Sequence, residues 1–492
     1  MTVLTLIVLL PILAALAIAL GAPARRTAFF SSLGQFILTI VALFAYDRAK
    51  GGYQLSSFLD VAPEWGLSLR FGADGLTLVM LLLTALITFT SVWVTRSIAK
   101  RESLFYVCVM LIGAGATGAF ASLDLFFFYA FHELALIPTF LLIGIWGHGQ
   151  RHVAAWKITI YLAAGSIVLL VGLAKLYLAY PEGTRTFDMT AMIANRGLIP
   201  VASQGSIYIW LLAGFGVLIS LFPFHSWAPD AYASAPTPVA MLHAGVLKKF
   251  GLYGLIRVAV PLLPEGAKQW STLLLVLLVC NILYIGLVTI AQKRLDTMLG
   301  YSSVMHMGYI FLGIAAGNAV GVTGASLLMF GHGLSIAALF AMCGYLRQTN
   351  PTLVFTSLGG LAKKAPFLGY AFGMAAFASI GLPGFANFAG EVMVFFGAFR
   401  TGATPGALTF SGQQIATICG LWGVVISAVY MLRAYRQMFT GDTSASGCTT
   451  ETPSCGIRWS VILLLAVLLI GGMWPKSFLN FIQPSVEALI AK

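Results

Sequence analysis

Fourteen apolar stretches, each long enough to cross a bilayer, follow one another along this chain. They centre near residues 11, 37, 84, 113, 135, 165, 214, 249, 280, 306, 333, the 366–400 region, 424 and 467. An α-helix rises 1.5 Å per residue, so about 20 residues span a hydrocarbon core of about 30 Å. Only 9% of the 492 residues are charged and 59% are hydrophobic, whereas a soluble domain carries about 25% charge. A soluble enzyme, a disordered chain and a disulfide scaffold all fit that composition poorly. The apolar runs lack the period-two alternation of a β-barrel, so the spans are read as helices. Glycine, at 52 residues, suits their close packing. Connections are short except 47–72, 179–205, 348–364 and 439–457, and none holds a separate soluble domain. The N-terminal run has no basic leader and reads as the first span rather than a cleaved signal peptide.

The net charge is +12. Its basic residues lie one to three at a time between apolar runs, unlike the clustered patches of a nucleic-acid binder, so no nucleic-acid partner is expected. They set topology instead. With the N-terminus outside, fifteen Lys and Arg fall in inner loops and ten in outer loops and the tail, Arg257 among the outer ones. That bias favours both termini on the outer side. The six cysteines have no metal-ligand spacing, and Cys448 and Cys455 read as free thiols in one loop. No glycine-rich strand–helix signature marks a nucleotide site.

Three basic residues, Lys175, Lys248 and Lys249, fall inside spans. A charge at mid-span costs about 2.5–3.5 kcal/mol on insertion scales and persists mainly where it lines a polar path or pairs. Lys175 lies close enough to Tyr180 to snorkel outward. Lys248 and Lys249 cannot, and adjacent residues on a helix cannot face the same way, so they have different roles. Glu133 lies nine residues past Asp124 in the fifth span, about 14 Å down at the helical rise. His332 sits mid-span and its chemistry suits proton relay; His306, His243 and His225 are further relay candidates. Glu391 follows a Gly381-Leu382-Pro383-Gly384 interruption that splits the twelfth span into half-helices, a device of transporters. The seventh span has a second break near Pro223, before His225 and Asp230. Two broken spans five helices apart suggest an inverted repeat, helices 4–8 against 9–13. For each residue the plainer alternative is a static salt bridge or a packed histidine. A string of ionisable groups at one depth suggests a lateral polar axis for protons; the compact oxygen cage a sodium ion would need is not evident.

The segments FHELALIPTFLLIGIWG, FHSWAPDAYASAPTPVAMLHAGVLKKFGLYGLIR, KRLDTMLGYSSVMHMGYI, GHGLSIAALF and GLPGFANFAGE together resemble the antiporter-like M-type chains (subunit 4 in mitochondrial naming) of respiratory complex I. That is the proton-pumping NADH:quinone oxidoreductase, related to Mrp-type antiporters and membrane-bound hydrogenases. The resemblance covers nearly the whole chain, most clearly 105–440. It implies an all-α integral membrane fold of about 14 transmembrane helices with two inverted five-helix repeats and broken helices 7 and 12. The expected organisation is helices 1–3 over 1–103, a first repeat over 104–262, a second over 263–440, and a loop with a last helix over 441–492. The short tail after that helix favours M-type over L-type chains.

The resemblance further implies a proton-translocating, non-redox subunit. Glu133 is then the acidic member of an input pair, Lys249 the central lysine, His332 a relay and Glu391 the output carboxylate. Flavin, iron–sulfur clusters and quinone belong to partner subunits, with no cofactor in this chain. The partners are other membrane subunits, including neighbouring antiporter-like chains, and lipid. The location is the cell inner (plasma) membrane, multi-pass. Two positions depart from the family pattern: Leu218 stands where a lysine is expected, and Tyr232 where His is frequent. Lys248 taking over, water bridging the gap, and a chain reduced to a structural segment all remain open. A cation/proton antiporter subunit is the alternative function.

Overall fold

The computed structural model describes residues 2–95, 98, 100–402, 409–441 and 453–490; Cys448 lies outside them. Twelve described helices are long and apolar enough to cross a membrane. Before them comes α1 (Val3–Ala19), followed by α2 (Ala24–Ala45), α3 (Gly75–Val94) and α4 (Glu102–Ala121). The fifth span, Leu125–Trp146, consists of α5 (Leu125–Glu133) and α6 (Leu136–Trp146). Then come α7 (Arg151–Leu178), α8 (Val201–Ile219), the short α9 (Trp227–Ser234) and α10 (Thr237–Leu262). The second half holds α11 (Ser271–Ala291), α12 (Leu295–Ala315) and α13 (Ala319–Thr349). After these come the half-helices α14 (Pro366–Ile380) and α15 (Ala386–Thr401), then α16 (Gly412–Phe439), α17 (Cys455–Met473) and α18 (Lys476–Ile490).

Burial divides these helices. α3, α10 and α13 are enclosed on every side and α12 nearly so, whereas α7, α11, α16 and α17 bury only a stripe. The enclosed helices are therefore the ones that can carry polar groups without facing lipid. α3 starts at Asp74, whose carboxylate accepts the Thr77 N–H at 2.9 Å, satisfying one orphan donor of the first turn. The same carboxylate pairs with Arg257 of α10. Arg257, expected in an outer loop, thus lies buried inside a span, with the Tyr253 ring at 5.1 Å and the Tyr53 ring at 5.6 Å from its guanidinium. Burial pushes the Asp74 carboxyl up, but the Arg257 guanidinium and Thr77 outweigh it and hold it below the ordinary carboxylate value.

Both expected helix breaks are present. α8 ends at Ser220, in the left-handed region at φ 69. Asn281 of α11 clamps the break: its carbonyl accepts the Phe222 N–H at 2.6 Å and its amide donates to Val304 O at 3.1 Å. α14 ends at Gly381, at φ 83, with the Gly381 N–H on Ala378 O and the Leu382 N–H on Phe377 O, both at 3.1 Å; this is the usual glycine C-cap. A third interruption was not expected: α5 stops at Glu133, and the Ala135 N–H turns back to His132 O at 3.1 Å. α10 is also irregular. It contains wide π-turns at His243–Leu247 and Leu255–Ala259.

Two features add to the helical reading. The 47–72 connection folds as an antiparallel hairpin, β1 (Gln54–Ala62) and β2 (Leu67–Ala73), with Ser57 opposite Phe71 and Leu59 opposite Leu69. The alternation of its short strands is lost in any window wide enough to detect a span. The tail after α17 is also ordered, as the amphipathic α18. Phe478, Ile482 and Val486 fall on one face at helical spacing and pack onto α3 and α13. Contact with α3 is so close that a Cβ at Gly75 would lie 1.9 Å from Phe481 O.

Candidate polar axis

The two adjacent lysines of α10 leave the helix in different directions, as their spacing requires. The Lys249 Nζ donates to Ala244 O at 2.6 Å and lies 3.0 Å from His332 Nδ1 on α13. The Lys248 Nζ lies 3.4 Å from Ser303 Oγ on α12 and 5.2 Å from the Tyr232 ring on α9. The intervening turn is wide: the Lys248 N–H reaches His243 O at 3.2 Å. Single π-turns of this kind recur at functional sites.

From Lys249 the polar groups continue through the enclosed helices. The His332 ring lies 5.4 Å, centre to centre, from that of His306 on α12. His306 Nδ1 is 2.7 Å from Ser302 O, and Nε2 is 2.8 Å from Ser379 O in the last turn of α14. Ser379 is two residues before Gly381, where a helix end leaves carbonyls unpaired. Glu391 of α15 packs against the same corner: a Cβ at Gly381 would lie 2.1 Å from Glu391 Oε2. The glycine thus has two reasons, a left-handed backbone and room for a carboxylate. Glu391 is buried, and its Oε1 has no hydrogen-bond partner among the described residues. The structure therefore brings Lys249, His332, His306 and Glu391 together around one corner.

On the other side, His243 Nε2 is 2.6 Å from Thr139 Oγ1 of α6. His132 stacks on Phe250, with ring centres 4.1 Å apart, and its Nδ1 lies 3.4 Å from Glu133 Oε1. Glu133 itself is set apart, with 29% of its side chain exposed on the outer surface of the bundle. No lysine or arginine pairs with it among the described residues. Leu218 of α8 is buried and lines the same cavity as His132 and Lys248. His225 stacks on Phe222 in the α8/α9 break, with ring centres 5.7 Å apart.

Several polar partners gave no signal in the sequence. Thr139, Ser303 and Asn281 are neutral, and spans carry such residues at little cost. Tyr430, whose hydroxyl is 2.9 Å from Ser302 Oγ, is another. No three His, Cys, Asp or Glu side chains gather as a metal site among the described residues.

Residues 122–417 match the family described as "NADH:quinone oxidoreductase/Mrp antiporter, TM". The chain is 34% identical to NAD(P)H-quinone oxidoreductase chain 4 of Gloeobacter violaceus, over 99% of this chain and 92% of that one. It is 32% identical to NADH-quinone oxidoreductase subunit M of Rickettsia typhi, over 94% and 92% of the two chains. A chain of respiratory complex I from Thermus thermophilus, solved with bound NADH, superposes with a TM-score of 0.88 at 29% identity, each chain covered to 99%. The chain is a multi-pass membrane protein of the NADH:quinone oxidoreductase/Mrp antiporter family.

Proposed function

We propose that this chain is the proton-translocating, non-redox M-type subunit of a membrane-bound NADH:quinone oxidoreductase. The observation that carries this reading is the row Lys249, His332, His306 and Glu391. It is formed of groups that exchange protons and is enclosed by α3, α10, α12 and α13. Lys249 gives a proton to His332, whose ring packs against that of His306, and Glu391 receives the proton beside the α14/α15 break. Glu133 and His132 form the entry side, with His243, His225 and Lys248 near it. Glu133 reaches the bundle surface, where a mid-membrane carboxylate is tolerated against a neighbouring subunit and not against lipid. Flavin, iron–sulfur clusters and quinone belong to partner subunits, so coupling acts through a two-state rearrangement of the chain. Residues 104–262 and 263–440 form the two repeats, between helices 1–3 and the C-terminal part. The membrane is the cell inner membrane, with both termini outside, following the loop charges.

The test is the proton-to-electron ratio of the purified complex in proteoliposomes. Lys249→Ala and Glu391→Gln should assemble, oxidise NADH and pump fewer protons per electron. An unchanged ratio in both variants rejects the reading.

A further inference from the structure

Beside Lys248 lies a cavity of about 10 Å³, lined by His132, Leu136, Leu218, Trp227, His243 and Lys248 among others. That is room for about one water molecule. Of the three ammonium donors of Lys248, one finds an acceptor, Ser303 Oγ at 3.4 Å. No carboxylate pairs with it among the described residues, and it is 1% exposed. Both histidines of the cavity wall are tied to groups on the entry side, His132 to Glu133 and His243 to Thr139. The rest of the wall is apolar or aromatic, so Lys248 is its one amine.

We infer that Lys248 is the entry station of the axis: it takes protons from the Glu133–His132 side through a single water and delivers them, by way of Ser303, to the His306–His332 pair. This rests on the proton-translocating reading above. A proton leaves the His132 imidazolium, charged from the Glu133 side, for the cavity water as a proton of that water moves to the Lys248 amine. The imidazolium becomes a neutral imidazole, the amine becomes an ammonium, and the water is unchanged. The ammonium then gives a proton to the Ser303 hydroxyl as that hydroxyl gives its own to the His306–His332 pair, where the His332 Nε2, without a hydrogen-bond partner among the described residues, takes it up. Lys248 returns to the amine, ready for the next cycle. Two lysines on consecutive residues are thus two stations. Lys248 faces the cavity, and Lys249 is hydrogen-bonded to His332. The wide turn at His243–Leu247 accompanies their divergence.

The experiment compares proton-to-electron ratios of reconstituted complexes carrying Lys248→Leu, Lys248→Arg, Lys248→Leu with Leu218→Lys, and Lys249→Ala. Lys248→Leu should lose as much pumping as Lys249→Ala. Arginine keeps the charge but does not release its proton. Lys248→Arg should therefore assemble normally and show the same loss, even if the leucine variant fails to assemble. The double variant should regain pumping, because position 218 opens on the same cavity. A normal ratio in Lys248→Arg, or a double variant no better than Lys248→Leu, overturns the inference. If Lys249→Ala still loses pumping in that case, the translocation reading stands without it; if Lys249→Ala pumps normally, the translocation reading fails as well.

Discussion

Removing the guanidinium of Arg257 should both weaken the fold and reverse its response to acid. Arg257 and Asp74 are each at most 5% exposed at the side chain and pair directly across α10 and α3. Deleting one member of such a pair strands the other, at a cost of about 3–5 kcal/mol, whereas replacing both with uncharged groups of similar volume is often neutral. Arg257→Met should therefore be destabilising, and Asp74→Asn with Arg257→Met much less so, since Asn keeps the N-cap oxygen. The pH response carries the sign. In the native chain the Asp74 carboxyl titrates below its ordinary value. Its contribution is therefore complete above the unfolded value and is lost as pH falls through the folded one. In Arg257→Met burial acts without the guanidinium, and the carboxyl moves above the unfolded value. The folded state then binds more protons across that window, so stability falls as pH rises from about 4 towards neutrality. The assay is the temperature at which the subunit leaves the purified complex, at pH 5 and pH 7.5. The reasoning is refuted if Arg257→Met and the double variant release together, or if Arg257→Met is no more stable at pH 5 than at pH 7.5.

Two further outcomes follow from the packing. Gly75→Ala places a Cβ 1.9 Å from Phe481 O and should lift α18 from α3; faster tryptic cleavage at Lys476 of the intact complex is the measurement. Asn281→Leu removes the clamp on the α8/α9 break and leaves buried polar groups unmatched, at about 1–3 kcal/mol each. Thermal release should come at lower temperature, while proton pumping per electron in the surviving complex is kept.

What could be read from the sequence depended on whether a residue was expensive where it stood. Lys248, Lys249 and Glu391 were conspicuous because a charge at mid-span is costly, and all three are buried. The two glycine- or proline-marked breaks were equally legible. The interruption between α5 and α6 had a weaker sign in Pro138: having no N–H, it cannot bond to Leu134 O, four residues earlier, which loosens the turn around Glu133. The wide turns of α10 had none, since His243-Ala244-Gly245-Val246-Leu247 would suit an ordinary helix as well. The hairpin was missed because its strands are shorter than a span, and α18 because amphipathic rather than continuous apolarity marks it. Neutral partners such as Thr139 and Ser303 cost little in a span and become visible only when the helices are brought together.

The pairing of charges separates two kinds of ion in this chain. Arg257 pairs with Asp74, Arg70 with Asp188, and Asp296 with both Arg294 and Arg347. These charges sit at helix ends or join elements, and each is held by an opposite charge. A proton cannot leave or arrive there without breaking an ion pair, so they serve as fixed joints. Lys248, Lys249 and Glu391 are as deeply buried as the Arg257–Asp74 pair, yet none has an opposite charge within pairing distance among the described residues. Their contacts are a serine hydroxyl, a backbone carbonyl, a histidine nitrogen and the backbone at Gly381. Such partners bond to either protonation state, or tolerate both, so a proton can come and go without dismantling a joint. A purely structural role for these three residues would be served better by the pairing used elsewhere in the same fold. Their lack of counter-ions is what a path for protons requires.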